Sequence, residues 1–261
     1  MQIKDILSAL ESIAPPHLQE SYDNAGLIVG DPESAVTGVL FCLDSTEAIV
    51  NEAVEKGCNL VVAHHPIVFR GLKRLNGTNY VERTVMLAIR QNVAIYAIHT
   101  NLDNVHHLGV NTKIAEKLGL TNTRILAPKP GQVDIGAGLL GEMPTSVPEI
   151  EFLQNIKKNL RTNCVRHTAL RGKTVRTVAV CGGSGSFLLP EALRANADAF
   201  VTADFKYHEF FDAEGKLVIA DIGHFESEQF TIELLHDIVR EKFPTFALHL
   251  TEVNTNPVFY L

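Results

Sequence analysis

Three groups of histidine and carboxylate residues each follow directly on a short apolar run typical of a buried strand. The groups are His64 and His65 after residues 60–63, His99 and Asp103 after residues 93–98, and His224 and Glu228 after residues 217–223. Imidazole and carboxylate are common ligands of divalent transition metals. Ligands of open α/β sheets bind in the crevice beyond the carboxyl ends of the strands, so we expect the three groups to converge. The sequence therefore predicts a metal site.

The spacing within the groups favours two ions rather than one. Adjacent side chains on an extended strand point to opposite faces, so His64 and His65 are placed to serve different ions. His224 and Glu228 lie four residues apart at the start of a helical pattern, which puts them on one face. A carboxylate that gives one oxygen to each ion holds a pair about 3.5–4 Å apart. The predicted metal ligands are His64, His65, Asp103, His224 and Glu228.

The ligand types restrict the metal without identifying it. Imidazole and carboxylate without thiolate suit zinc, iron, manganese, cobalt or nickel rather than calcium, and zinc, iron and manganese come first. His99 is predicted to orient a ligand or a bound water instead of binding an ion. A lone histidine at a strand end is usually a hydrogen-bonded structural residue, and that alternative applies to each group by itself. Three such groups after three strands favour the metal.

Two further segments could contact a substrate. The run Gly182, Gly183, Ser184, Gly185 follows a predicted strand and precedes a predicted helix, where backbone N–H groups could hold a phosphate or cofactor. It matches neither a Walker loop nor a dinucleotide fingerprint, so a tight turn is the alternative. Asp204, Lys206 and His208 follow another predicted strand and could contact substrate or act as acid or base; for Asp204 and Lys206, surface solvation is the alternative.

The elements that must position these residues alternate between buried strands and helices. This alternation predicts an α/β fold with mainly parallel or mixed sheets covered by helices. Strands are predicted at residues 39–43, 60–63, 93–98, 164–169, 177–180, 199–202, 217–222 and 246–250, with an alternating stretch at 133–140. Helices are predicted at residues 1–14, 46–56, 80–91, 149–160, 189–195 and 226–242, with Ser45 or Thr46 as the N-cap of the second.

The proline- and glycine-rich loop 127–131 is the candidate domain boundary. It separates a first α/β lobe, residues 1–126, from a second lobe, residues 127–223. The C-terminal helix and strand, about residues 224–261, are expected to fold back onto the first lobe.

Composition and charge exclude several classes of protein. A formal net charge of -7 argues against a surface built to neutralise nucleic-acid phosphates. Charged residues interrupt the N-terminal helix as a signal-peptide core, and no apolar run approaches the roughly 18 residues that span a bilayer. A cytoplasmic protein without a membrane segment is expected. The four cysteines are widely spaced in apolar runs, which favours core packing over zinc or disulfide formation.

Taken together, the motifs resemble those of the Nif-three-like family, often labelled GTP cyclohydrolase 1 type 2 homologs. The matching segments, which run from end to end of the chain, are residues 22–27 (YDNAGL), 64–66 (HHP), 99–103 (HTNLD), 182–185 (GGSG) and 223–228 (GHFESE). Two departures stand out: Tyr22 replaces the family's usual tryptophan, and Ala203 replaces the usual glycine before Asp204. Neither departure affects a predicted metal ligand.

The resemblance implies two interlinked α/β domains, a toroidal homohexamer, and a metal pair facing an interior cavity. It implies the same five metal ligands, two ions per subunit, and a short form without the insert that longer members carry in the middle. The family label names a GTP cyclohydrolase, but fold and metal transfer between relatives better than activity does.

Two functions from different classes follow from these patterns. The first is a metal-dependent hydrolase of a nucleotide-like or phosphorylated small molecule, with His99 or His208 moving protons and the glycine run holding phosphate. GTP ring-opening is one version of it. The second is a non-enzymatic metal-binding adaptor or scaffold ring that engages another macromolecule.

Overall fold

The computed structural model describes residues 1–261, which divide into two compact units. Unit 1 comprises Met1–Leu102 and Thr231–Pro257, and unit 2 comprises Asp103–Phe230 and Val258–Leu261. Each unit has its own helix-covered sheet, so the predicted α/β class is confirmed. The loop 127–131 lies inside unit 2, because the segments on either side of it pair with each other as adjacent strands. None of the helices has both the length and the apolar character needed to cross a bilayer.

The sheet of unit 1 has five strands in the order β1-β4-β3-β2-β11. They are β1 (Gly26–Val29), β2 (Val39–Cys42), β3 (Leu60–Ala63), β4 (Ala94–Ala97) and β11 (Leu248–Leu250). All pairs are parallel except β1 with β4. Every residue of β2, β3 and β4 is buried, as expected for parallel strands covered on both faces. The carboxyl ends of these three strands therefore lie side by side.

Unit 1 has five helices, two of which begin at a side-chain N-cap. They are α1 (Ile3–Glu11), α2 (Glu47–Glu55), α3 (Tyr80–Arg90), α4 (Thr100–Asp103, which ends at the first residue of unit 2) and α9 (Thr231–Lys242). Thr46 is the N-cap of α2 and accepts a hydrogen bond from the Ile49 N–H, so the predicted cap is confirmed. Asn79 caps α3 through the Glu82 N–H in the same way.

The sheet of unit 2 has six strands in the order β5-β6-β8-β9-β10-β7. They are β5 (Thr121–Pro128), β6 (Gly136–Pro148), β7 (Arg166–His167), β8 (Thr174–Ser184), β9 (Ala199–Ala203) and β10 (Val218–Asp221). The strands β8, β9 and β10 are parallel, whereas the outer pairs are antiparallel. The helices are α5 (Val110–Leu118), α6 (Glu149–Asn159), α7 (Leu189–Arg194) and α8 (His224–Glu228).

Two predicted elements of unit 2 differ from the structure. The helix expected at residues 226–242 is two helices, α8 and α9, interrupted at residues 229–230 where the chain passes from unit 2 to unit 1. The glycine run 182–185, expected as a loop after a strand, is largely the end of β8 itself, whose register against β9 shifts between Val180 and Ser184. The irregularity brings the glycines against α8.

A buried ion pair holds the start of α6. The Glu149 carboxylate accepts hydrogen bonds from Arg171 Nε at 2.7 Å, from the Arg171 N–H at 2.6 Å and from the Gly172 N–H at 3.0 Å. The Glu149 side chain is 2% exposed and that of Arg171 is 8% exposed. Burial raises the pKa of Glu149, but the hydrogen bonds and charge of Arg171 outweigh burial and lower it below its usual value. The pair therefore stabilises unit 2 when Glu149 is ionised.

Substituting Glu149→Gln is expected to lower the free energy of unfolding by about 3 kcal/mol, because it leaves a buried guanidinium without its counter-charge. Since the folded pKa is lowered, the wild-type advantage is complete above the unfolded value of about 4.3 and disappears as pH falls through the folded pKa. Urea unfolding of both proteins from pH 7 to pH 3 measures this difference. Glu151→Gln, at an exposed position in the same helical turn, is the control. Equal losses from the two substitutions would contradict the prediction.

Candidate metal centre

One cluster of possible metal ligands lies in unit 1, at the carboxyl ends of β3 and β4. Backbone hydrogen bonds to the segment of β2 continue beyond the end of β3. The His64 N–H donates to Cys42 O at 3.2 Å, and the His65 N–H donates to Leu43 O at 2.9 Å. The two imidazoles are nevertheless close, with ring centroids 4.9 Å apart, so their binding of different ions stays a prediction. His99 follows β4, and one ring nitrogen from each of His64, His65 and His99 lies within 4.8 Å of the others. These nitrogens could hold a metal ion.

Each of these three imidazoles donates a hydrogen bond from Nδ1 to an oxygen at 2.8 Å. The acceptors are Ile98 O for His64, Asp44 Oδ1 for His65 and Asp23 Oδ1 for His99. A carbonyl or carboxylate oxygen only accepts, so the proton of each neutral ring sits on Nδ1 and the lone pair on Nε2. This is the arrangement that orients metal-binding histidines in known sites.

The aspartates that hold His65 and His99 are themselves held in place. Asp23 also accepts the Thr100 N–H at 3.0 Å. Burial raises the pKa of Asp23, but its hydrogen bonds with His99 and Thr100 outweigh burial and bring the pKa down to about 2. Asp44 accepts the hydroxyl of Thr255 at 2.9 Å. Both carboxylates are therefore fixed acceptors at neutral pH.

Another cluster of possible metal ligands lies in unit 2. Gly223, with φ 92°, ends the turn after β10 and leads into α8, which carries His224 and Glu228. His224 Nε2 lies 3.2 Å from Glu228 Oε2, so the predicted same-face arrangement is present. A carboxylate oxygen of Asp103 lies within 4.8 Å of one of Glu228. Glu228 is buried, and buried carboxylates in proximity favour a cation.

His224 has its own carboxylate support. Its Nδ1 donates to Asp204 Oδ2 at 2.7 Å, so a fourth imidazole has Nδ1 engaged and Nε2 directed to the carboxylates of the site. Burial lowers the pKa of His224, but the negative charge of Glu228 and the hydrogen bonds with Asp204 and Glu228 raise it to about 11.

The glycine run packs against these ligands. Gly183 has φ +61°, and a Cβ there would overlap Glu228 Oε1 and lie 3.2 Å from His224 Cε1. The Gly183 N–H donates to Ser227 Oγ at 2.9 Å, and the Gly182 N–H donates to Asn111 Oδ1 at 2.9 Å. These two N–H groups are thus already used within unit 2, which favours a packing role. Phosphate binding by Gly182, Gly183, Ser184 and Gly185 stays a prediction.

His208 lies apart from the clustered donors. It belongs to a short 3₁₀ helix, Tyr207–Ala213, where its ring is 5.1 Å from the ring of Tyr207 and 6.4 Å from that of Phe211. It is in none of the groups of donors that could hold an ion. Lys206 is exposed, as the solvation alternative predicts, whereas Asp204 contacts His224.

Sequence reasoning missed Asp44. It follows β2 one residue after Leu43, and so carries the same signal as His64 after β3: a polar residue directly after a buried strand. The sequence marks Asp23 only as a member of the segment 22–27, because nothing in the sequence links it to His99, 76 residues away. The donor set of histidine nitrogens and carboxylate oxygens fits a divalent transition metal.

Two helix-covered sheets with imidazole and carboxylate donors clustered at the strand ends define an α/β protein with a potential divalent-metal centre. The chain belongs to the Duf34/NIF3 (NGG1p interacting factor 3) family, whose model matches residues 1–257.

Individual relatives agree with this assignment. A GTP cyclohydrolase 1 type 2 homolog of Clostridium perfringens is 33% identical over 243 residues, which cover 93% of this chain and 92% of the relative. The crystal structure of a hypothetical protein of Staphylococcus aureus superposes with a TM-score of 0.93 at 29% identity, covering 100% of this chain and 99% of that one. A Bacillus cereus protein related to NIF3 gives a TM-score of 0.93 at 25% identity, with the same coverage.

Proposed function

We propose that this protein holds two divalent metal ions and uses them to hydrolyse a nucleotide-like or phosphorylated small molecule. The proposed ligands are His64, His65, Asp103, His224 and Glu228. Zinc, iron and manganese are the metals that this ligand set favours. The single observation that carries the proposal is the orientation of the histidines, because His64, His65 and His224 each have Nδ1 engaged by an oxygen at 2.7–2.8 Å.

The chain's own residues account for binding and proton transfer. When bound, the ions would lower the pKa of a coordinated water and polarise the bond to be cleaved. His99 is the proposed proton carrier, because the hydrogen bond from its Nδ1 to Asp23 holds the ring in one orientation. His208, on the exposed 3₁₀ helix, is the second candidate. The relatives' name suggests GTP ring-opening as one version of the reaction.

The adaptor function remains the alternative, and a specific surface favours it. Tyr207 and Phe211 are 73% and 66% exposed and lie with His208 on one short helix of unit 2. Exposed aromatic clusters of this kind mark contacts with other molecules. A homohexamer, implied by the resemblance, stays a prediction under either function.

A panel of nucleotides and phosphoesters, assayed with zinc, manganese and iron, tests the enzymatic proposal. We expect turnover by the metal-loaded protein, and a decrease of about 10²–10⁴-fold in kcat for His99→Gln with unchanged metal content. Loss of metal along with turnover would make His99 a ligand instead. Absence of turnover with every metal, together with partner binding by the metal-free protein, would favour the adaptor.

A further inference from the structure

Two exposed aromatic rings lie in sequence beside His99 in unit 1: Phe69 is next to His99, and Tyr22 is next to Phe69. The Phe69 ring lies 6.2 Å from the His99 ring and 6.3 Å from the Tyr22 ring, measured between centroids. Tyr22 is 65% exposed and Phe69 is 47% exposed. Large apolar rings are costly to leave in water, and exposed rings near a reactive centre are typical of surfaces that stack on planar ligands.

A hydrogen bond links the two segments that carry these rings. Asn24 Nδ2 donates to Val68 O at 2.6 Å, which ties the segment carrying Tyr22 to the segment carrying Phe69. Asp23, between Tyr22 and Asn24, accepts the hydrogen bond from His99. The segment that orients His99 through Asp23 is therefore also hydrogen-bonded to the segment that carries Phe69.

A cationic loop continues directly from Phe69. Arg70, Lys73 and Arg74 are exposed, and none of them forms an ion pair with a carboxylate of the chain. Other basic side chains of unit 1 do form such pairs, as Arg83 does with Glu47 at 2.8 Å. In a chain with a net charge of -7, three unpaired cations within five residues form a local positive surface.

The far end of this loop is anchored as well. The Glu82 carboxylate accepts the Asn76 N–H at 3.2 Å and the Thr78 N–H at 2.9 Å. The loop thus leaves the ring pair at Phe69 and ends at a fixed turn before α3, with its cations exposed between the two anchors. The three cations thus lie within five residues of Phe69 along the chain.

We propose that Tyr22, Phe69, Arg70, Lys73 and Arg74 form an aromatic–basic rim that binds a phosphorylated ligand with a planar ring. The two aromatic side chains stack on the ring, and the basic side chains bind the phosphate. The assignment of this ligand as the substrate rests on the proposed function. The glycine run 182–185 is not needed as the phosphate site in this account.

Binding of AMP, adenosine and ribose 5-phosphate to the metal-free full chain in EDTA, measured by titration calorimetry, tests the rim. For the Tyr22→Ala, Phe69→Ala double variant we expect AMP and adenosine affinities about ten-fold lower and ribose 5-phosphate unchanged. For Arg70→Ala, Lys73→Ala, Arg74→Ala we expect AMP and ribose 5-phosphate affinities about ten-fold lower and adenosine unchanged. Only the phosphate contribution should weaken with added salt.

Matched variants control for charge and shape. Lys157→Ala, Lys158→Ala, Lys173→Ala removes the same charge from exposed positions of unit 2 and should leave all three affinities unchanged. Tyr22→Phe with Phe69→Tyr keeps both rings and should retain wild-type affinity. Wild-type protein that binds none of the probes, or rim variants that bind them as wild type does, would overturn the inference. So would a changed oligomeric mass with unchanged AMP affinity, because the rim would then be a subunit interface.

The rim and the proposed hydrolase can fail separately. Rim binding of AMP without turnover of any substrate would support the rim and count against the hydrolase. Turnover whose KM is the same in the rim variants and the wild type would support the hydrolase and overturn the rim. Zinc content, measured in parallel, should be the same in the rim variants as in the wild type.

Discussion

Gly183→Ala is expected to lower the affinity for zinc about 100-fold while leaving the protein folded. The substituted Cβ would occupy the position of Glu228 Oε1, which lies at the flexible end of a side chain. The carboxylate can move aside more easily than the backbone, so the fold should survive and the ligand should be displaced. Misplaced supporting groups cost about 10–100-fold in metal affinity, and this substitution displaces a ligand directly. Calorimetric titration of the chelator-treated protein measures the change.

A second glycine separates backbone strain from ligand displacement. Gly215 also has positive φ, +67°, but a Cβ there would meet nothing within 4 Å. Both alanine variants should lose about 1–2 kcal/mol of stability from the left-handed backbone. Only Gly183→Ala should lose metal affinity. Wild-type zinc affinity in Gly183→Ala would show that this glycine does not position Glu228.

Glu228→Gln is expected to weaken metal binding at least as much. The substitution keeps the shape of a buried side chain on α8 but removes the negative charge that would bind the cation. We take the dissociation constant for zinc to rise about 100-fold and the zinc concentration to be about 1,000 times the wild-type dissociation constant. Zinc then raises the free energy of unfolding by about 4 kcal/mol in the wild type and by about 1.4 kcal/mol in the variant. Thermal unfolding with and without zinc shows this difference directly.

Glu226→Gln is the control for this substitution. Glu226 is also a buried carboxylate of α8, two residues away, but it is not a proposed ligand. Its substitution should leave the zinc-dependent increase in melting temperature intact. The same zinc-dependent increase in Glu228→Gln as in wild type would remove Glu228 from the ligand set.

The regular core of unit 1 was predictable because its strands are buried on both faces. Residues 60–63 are an uninterrupted apolar run, and the structure has β3 at Leu60–Ala63. The edge strand β1 was not predicted, because its four residues are only partly buried and contain no alternation. The strand β5 was not predicted either, because its residues 121–124 are charged or polar. It pairs with β6 through its backbone. Strands at edges carry a weaker hydrophobic signal than central strands.

The sequence predicts the possible metal ligands of the candidate site better than it predicts the groups that hold those ligands in place. Histidines and carboxylates directly after buried strands can be read from the sequence, and so can the spacing of His224 and Glu228. The partner of His64 is a backbone carbonyl, and every residue has one, so no sequence signal marks it. The sequence of the glycine run left an anion-binding loop and a tight turn as alternatives, because glycine permits both ligand approach and close packing. Only the position of Glu228 against Gly183 distinguishes these uses.

Metal content of the chelator-treated, zinc-reloaded protein tests the central claim most directly. Inductively coupled plasma mass spectrometry of the wild type should give two zinc ions per chain. The His64→Ala, His65→Ala, Glu228→Gln triple variant, with folding confirmed by circular dichroism, should give none. Absence of stoichiometric zinc in the wild type, or equal zinc in the wild type and the triple variant, would contradict the account.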